Sequence, residues 1–508
     1  MRALRAAVDA VAWAGLLWVL VLLGRTVGPR LGAPYDLEWM EGGMLVHAAR
    51  VADGLPLYVR PGPDFIPFIY PPLYHAVLGA WGALAGGVDY LPGRVLSVLG
   101  VALAALALAA AARAEGLRAG AAAAAVAAFA STYEDVGAFF DLVRIDGLGL
   151  GLWAAALVAV RRGHLRTGGL LLVAAFATKH HAAAAGLPAL VWLWQTAGRA
   201  AALRFAAWSV GPACAFMAGM AFEGDGAFFT YLLGVPAGHP FVVARALWGA
   251  PGELARGLPL SVGALALAFG AAAWARRSGS GAAPGAADGR RYWLWQGGLA
   301  VALAMVMRGH HGGFLNVLMP AFWALALGGA LAAGAVSARW PRLGLALALG
   351  LAGQGAARGW EPARFTPPAG AAEAHARVVE RLRALPGPLL APWSPWLPVQ
   401  AGHAPGFHLI ALWDVDHDRG PYGDSLGPIT QAFAAQRWAG VLVGNDGRGG
   451  QLKLGFPDAY QAGPRVAPAG NLLQTRSGWR TGPTSVWVPR AAAGGEPPPA
   501  DAPARRAP

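Results

Sequence analysis

What most limits the fold of this chain is a succession of twelve apolar runs joined by short connections: residues 8–27, 72–88, 93–112, 119–132, 146–160, 167–178, 182–195, 205–222, 254–275, 292–307, 314–336 and 343–355. One water-soluble core cannot hide so many runs. With 56% of 508 residues hydrophobic and 13% charged, the chain reads as a polytopic α-helical membrane protein. The net charge of +13 comes almost wholly from arginine and gathers between apolar runs, the pattern of cytoplasmic loops rather than of a nucleic-acid surface. No nucleic-acid partner is expected. The sole cysteine, Cys214, lies within an apolar run, so no intrachain disulfide can form. No small-residue cleavage site follows the first run, which reads as a retained helix. Usage heavy in Ala, Gly and Arg points to a GC-rich bacterial genome.

Charge then sets a topology. Arg2 and Arg5 place the N-terminus in the cytoplasm, and the basic loops 113–118 and 161–166 belong on the same side. Both are cytoplasmic only if one run between residues 70 and 112 does not cross. The run 72–88 is short, opens on Pro71-Pro72 and is broken by glycines, so it reads as an interfacial or re-entrant helix and about eleven crossing helices remain. The same parity puts 133–144, 179–181, 223–253 and 308–316 on the outer side with the first loop. Three regions follow: a transmembrane domain, 1–357, with outer loop 29–91; a small α/β domain, 358–490, on the outer or periplasmic face; and a Pro-, Ala- and Gly-rich tail, 491–508, expected to be disordered. The α/β layout reads as helix 371–385, strand 388–393, helix 428–438, strand 440–444 and final strand 484–488. The expected location is the bacterial inner membrane.

The first outer loop is the only long acidic one in the membrane half. It carries Asp36, Glu38 and Glu41 within six positions, just before a helical run with Met44, Leu45, Ala48 and Val51 on one face. Gly54 and Pro56 end that run, and the Pro- and aromatic-rich segment 61–72 cannot be ordinary helix. Acids in a first helical turn also favour the helix dipole and cap free N–H groups, so a structural role stands beside a catalytic one. Asp141, Arg144 and Asp146, in FFDLVRIDGLGL, enter a membrane helix from outside, where ionisable groups usually mark sites; a helix-start acid paired with Arg144 is the plainer alternative.

Only two basic residues are lysines, Lys179 and Lys453. A lysine between two apolar runs, in a chain that otherwise uses arginine, suggests selection for its chemistry, against simple snorkelling to the interface. His180 and His181 follow it, and His310 and His311 repeat the pattern on another outer loop. Histidine pairs raise a metal, but no carboxylate at helical spacing accompanies them. Asp414, Asp416 and Asp418 in WDVDHD read as a solvated acidic turn rather than a cation loop.

Taken together, Glu41, Pro71-Pro72, Asp146 and Lys179 resemble the polytopic glycosyltransferases of the C-type fold, the superfamily of protein O-mannosyltransferases and lipid A aminoarabinose transferase. In that family an acidic pair precedes a Gly-terminated helix and a Tyr-Pro-Pro-Leu-like segment, here WMEGGMLVHAARVADGLPLY and IYPPLY. An aspartate opening a later helix is matched by VRIDGLGL, and a Thr-Lys step by FATKHHAAAAGLPAL. The likeness in order and spacing covers about the first 200 residues. One departure stands out: the family's pair is Asp-Glu, and here Met40 precedes Glu41, leaving open which of Asp36, Glu38 and Glu41 acts.

The resemblance implies transfer of a hexosyl or pentosyl group, with inversion, from a polyprenyl-phosphate donor to a hydroxyl of a lipid, glycan or protein acceptor. Glu41 would be the base, with Asp36 or Glu38 in reserve, and Asp146 would orient the acceptor or share that role. Lys179, Arg144 and His180 would hold the phosphate, and Tyr70 and Tyr74 could pack sugar or prenyl. A divalent cation on the carboxylates stays open. The rival is a transporter or flippase of lipid-linked saccharides, against which no inverted repeat is visible; a membrane scaffold would need neither the buried lysine nor an acidic cluster.

Overall fold

The computed structural model describes residues 2–277, 287–417, 420–444, 452–467 and 472–490; the tail 491–508 and Asp418 lie outside them. Each of the twelve apolar runs is helical. The runs are rich in Ala and Leu, which lose little side-chain freedom in a helix. Among the described residues four helices are long and apolar enough to cross a membrane: Arg2–Leu31, Tyr90–Ala114, His180–Ala221 and Leu315–Arg339. The others include shorter apolar helices, Leu73–Ala85, Ala119–Tyr133 and Leu165–Thr178, so a count of about eleven crossings rests partly on helices near or below the length a single span needs.

The runs 182–195 and 205–222 are two helices, as expected, separated within Gly186–Ala221 by a break at Gly198, whose backbone is non-helical at φ 81° and ψ 173°. The expected span 254–275 is in fact broken. Arg245–Gly257 and Pro259–Ala273 meet at 103°, because Pro259 cannot donate the hydrogen bond that would continue the first helix. The helix before the break carries Glu253, which takes Arg308 Nε and Nη2 at 2.9 and 2.8 Å.

The chain divides into two compact units. The first comprises Met1–Gly32, Tyr70–Gly226 and His239–Thr366 and holds the long apolar helices. Within it the Tyr90–Ala114 and Ile145–Arg161 helices pack closely, and glycine is what permits the approach. A Cβ at Gly147 would stand 2.5 Å from Ser97 O, and one at Gly151 would stand 2.3 Å from Gly100 O. Small residues four apart, Gly147 and Gly151, let two backbones touch where lipid supplies no hydrophobic drive. The same contact seats the start of the Asp146 helix.

The second unit comprises Ala33–Ile69, Ala227–Gly238 and the chain from Pro367. The acidic loop, expected within the transmembrane domain, therefore packs with the C-terminal region. Its sheet runs β1 (Leu389–Leu390), β2 (Gly440–Gly444), β4 (Pro483–Pro489), β3 (Tyr460–Arg465) in spatial order. β1 is parallel to β2, and the other two pairs are antiparallel. This is the expected α/β layout, with β2 at the expected bounds. The helix Ala371–Arg383 buries Ala374, Val378 and Leu382, spaced one turn apart. β3 and the helices Trp396–Gln400 and Leu409–Val415 were not foreseen; Gly463 and Pro464 make β3 read as loop, which an edge strand tolerates. In WDVDHD, Asp414 lies in the Leu409–Val415 helix and the partly buried Asp416 is 3.6 Å from the exposed Lys453.

Two outcomes are expected. Gly151→Leu should overpack the glycine seam and lower stability by about 1–3 kcal/mol or more, read as an earlier thermal transition in detergent. His375 is 6% exposed, and burial holds it down to about 4 against an opposing Gln400 hydrogen bond. Because the folded value is depressed, the unfolded chain takes the proton first as pH falls below about 6.5. The second unit should therefore lose up to about 3 kcal/mol between about pH 6.5 and 4, with His375→Leu abolishing that slope in hydrogen exchange of its helix.

Candidate active site

Asp146 sits in the first turn of the Ile145–Arg161 helix, 3% exposed, and three connections between helices converge on it. Lys179 Nζ donates to Asp146 Oδ1 at 2.6 Å. Asn316 Nδ2 donates to the same oxygen at 2.8 Å. Oδ2 accepts no hydrogen bond and lies 3.7 Å from Arg144 Nε. One carboxylate thus faces two cations, leaving a net positive, water-poor centre at a helix N-terminus, a combination suited to an anion.

Local sequence explains the placement. The Leu165–Thr178 helix ends where Lys179 turns to extended backbone, φ −148° and ψ 103°, which swings the lysine out of the helix line. A 3-10 turn, His180–Ala185, follows. Neighbours in such a turn point about 120° apart. Hence His181, and not its neighbour His180, lines the cavity of about 30 Å³ shared by Asp146, Lys179, Asn316 and Trp153. That space admits one water. Asn316 comes from the 3-10 turn Leu315–Leu318 that opens the next long helix.

Arg144 is positioned from the other side. Its Nη2 donates to Tyr70 Oη at 3.3 Å, and its guanidinium lies 5.7 Å from the Tyr70 ring and 5.5 Å from the Phe139 ring. Its carbonyl accepts from Ser97 Oγ at 3.0 Å. Tyr74, expected beside Tyr70 at the substrate, is elsewhere. It is 0% exposed, and its hydroxyl donates to Gly93 O at 2.8 Å, a helix-packing position with no open face for a sugar. Asp141 is also buried and pairs with Arg30 rather than with the Asp146 centre.

Within the second unit, Asp36, Glu38 and Glu41 come together as a buried set, 7%, 2% and 0% exposed. Glu41 Oε2 accepts the Leu37 N–H at 2.7 Å and the Glu38 N–H at 3.4 Å; Glu38 Oε2 accepts the Met40 N–H at 3.2 Å. The carboxylates thus organise the turn before the Glu41–Ala52 helix. Leu37 O takes two N–H groups, from Arg476 and Ser477, at 2.7 and 2.9 Å. His47 is locked neutral by geometry: Nε2 accepts the Phe68 N–H at 2.8 Å, so Nδ1 carries the proton toward Gly43 O at 2.7 Å. Among the described residues no group of three or more His, Cys, Asp or Glu is placed to hold a metal. His310 and His311 stand near His239, with ring centroids 4.9 and 6.1 Å away.

Among solved structures the chain is similar to ArnT from Cupriavidus metallidurans bound to undecaprenyl phosphate, with TM-score 0.54 and 14% identity over 95% of this chain and 98% of that one. The apo state of the same protein superposes with TM-score 0.38 at 14% identity, covering 94% and 98%. No protein-family model matches the chain, and no curated protein matches its sequence.

The Asp146–Lys179 pair yields a direct test. Lys179→Met should strand a buried carboxylate and cost about 3 kcal/mol, whereas the double variant Asp146→Asn with Lys179→Met should be less damaged than the two single losses summed. Thermal unfolding of the four proteins in one detergent measures the coupling.

Proposed function

We propose that the protein is a membrane glycosyltransferase that moves a sugar from a polyprenyl-phosphate donor to an acceptor hydroxyl on the outer face, with inversion at the anomeric carbon. The observation that carries this reading is the buried Asp146 clamped by Lys179 and Asn316 beside Arg144. Its support from outside is the fold shared with ArnT, a protein captured with undecaprenyl phosphate.

The chemistry needs a base for the acceptor and cations for the departing phosphate, and no general acid, because a phosphate leaves readily. A carboxylate takes the proton of the acceptor hydroxyl as the hydroxyl oxygen attacks the anomeric carbon. The bond from that carbon to the phosphate oxygen breaks on the opposite face. Lys179, Arg144 and the cavity-lining His181 hold the phosphate as charge grows on it, and Asn316 fixes Asp146 against Lys179. Asp146 keeps one oxygen, Oδ2, without a hydrogen bond, which suits it to receive an acceptor hydroxyl. Glu41, with Asp36 and Glu38, is the other source of base. Tyr70 orients Arg144, and the apolar helices take the lipid tail, whose binding supports the reaction at a distance. In this reading the N-terminus is cytoplasmic and the C-terminal domain lies outside.

Released polyprenyl phosphate distinguishes a transferase from a flippase, which leaves the donor intact. Lys179→Ala and Asp146→Asn should each lower kcat/KM by about 10²–10⁴-fold in that assay. Glu41→Gln ranks the bases: a comparable loss makes Glu41 the base, and full activity with lowered stability leaves it as the organiser of its turn. Repeating the assay with a chelator decides whether a divalent cation takes part. Wild-type rates in all three variants would overturn the reading.

A further inference from the structure

At the other end of the first unit lies a second cavity, of about 240 Å³. The distance follows from one helix. Ser97 packs on Gly147, beside Asp146, and the Tyr90–Ala114 helix continues 17 residues from Ser97 to Ala114, about 26 Å at 1.5 Å per residue. That is close to the hydrocarbon thickness of a bilayer. The cavity begins just beyond, at Gly116 to Arg118.

Its walls are mostly small apolar side chains from several helices, Ala124, Ala330 and Ala348 among them, with Leu117, Leu345 and Leu351 between. Protein interiors rarely leave a space much larger than one water. The space opens at its charged end, and its largely apolar lining suits hydrocarbon better than water. The mouth is charged. Arg118 pairs with Asp9, and the exposed Arg5 has no ion-pair partner among the described residues. Two guanidiniums against one carboxylate leave a net positive rim at the end of an apolar slot.

We propose that this cavity is a lipid site distinct from the Asp146 centre, in which one acyl chain of an anionic phospholipid fills the alanine-lined space and its phosphate rests on Arg5 and Arg118. The match is of shape and charge together. The apolar volume selects a chain, and the basic rim selects an anionic head over a zwitterionic one.

The test uses the full-length chain, stripped of lipid in detergent and reloaded from vesicles of phosphatidylcholine with or without phosphatidylglycerol, with retained lipid counted by native mass spectrometry. The wild type should keep phosphatidylglycerol in preference to phosphatidylcholine. Ala330→Phe should lower retention more than about tenfold, the loss expected from displacing as few as two buried methylenes. Arg5→Gln should lower the preference for the anionic lipid about fivefold while leaving Asp9 paired. Ala124→Leu serves as the filling variant if Ala330→Phe does not fold. Equal retention in wild type and filled variant, or retention blind to headgroup charge, overturns the proposal. So does a filled variant that gains thermal stability in pure detergent with its lipid retention unchanged, since the space would then be a packing defect.

Discussion

The first unit is organised around an ion pair that solvent does not reach. Arg30 Nε meets Asp141 Oδ2 at 2.6 Å, with both side chains 0% exposed. Two buried charges cost more to desolvate than their attraction returns unless their remaining hydrogen bonds are made. Here they are. Arg30 Nη1 and Nη2 donate to Phe365 O at 2.9 Å and Ala138 O at 3.2 Å, and Tyr133 donates to Asp141 Oδ1 at 3.1 Å. Arg94 closes the set by donating to Arg30 O at 2.9 Å. The pair therefore joins the end of the first helix, the start of the Tyr90–Ala114 helix, the 133–144 connection and the segment that follows the Pro341–Ala357 helix. Three residues after Asp141 comes Arg144, and two after that Asp146.

A site built this way is held from behind. The glycine seam at Gly147 and Gly151 fixes the helix that carries Asp146, and Arg30–Asp141 fixes the loop that delivers Arg144. Lys179 and Asn316 then arrive from two further chain segments onto one carboxylate oxygen. In the proposed reaction, charges fixed before substrate arrives need no reorganisation as charge moves, which is where electrostatic catalysis gains most. The arrangement also explains why a lysine appears here at all. Its compact ammonium fits a single oxygen at 2.6 Å, and the broad arginine fork flanks the same carboxylate at 3.7 Å.

Much of this was legible in the sequence. Apolar length gave the helices, and basic loops gave a parity that grouped 133–144, 179–181, 223–253 and 308–316; the ion pair Lys179–Asp146, the Asn316 bond and Arg308–Glu253 link residues in or beside those four connections. The rarity of lysine marked Lys179, and a helix-start aspartate marked Asp146. Asn316 carried no such mark, because an asparagine in a loop is ordinary and only the fold brings it to Asp146. His180 and His181 read alike in the sequence, and which of them faces the cavity turns on the pitch of a 3-10 turn. The acidic loop was seen, but its allegiance was not: contacts such as Leu37 with Arg476 and Ser477 span more than 400 residues and leave no local pattern. Tyr74 looked like its neighbour Tyr70 in sequence, and helix packing separated them.

The central claim is that Lys179 and Asp146 form the seat of a lipid-linked phosphate. The measurement that tests it most directly is a structure of the protein in a lipid bilayer with polyprenyl phosphate added. The account predicts ordered phosphate density within hydrogen-bonding distance of Lys179 Nζ, with Arg144 turned toward it and Asp146 freed on one oxygen. Phosphate bound elsewhere, with the Asp146–Lys179–Asn316 cluster closed as it stands, would contradict it.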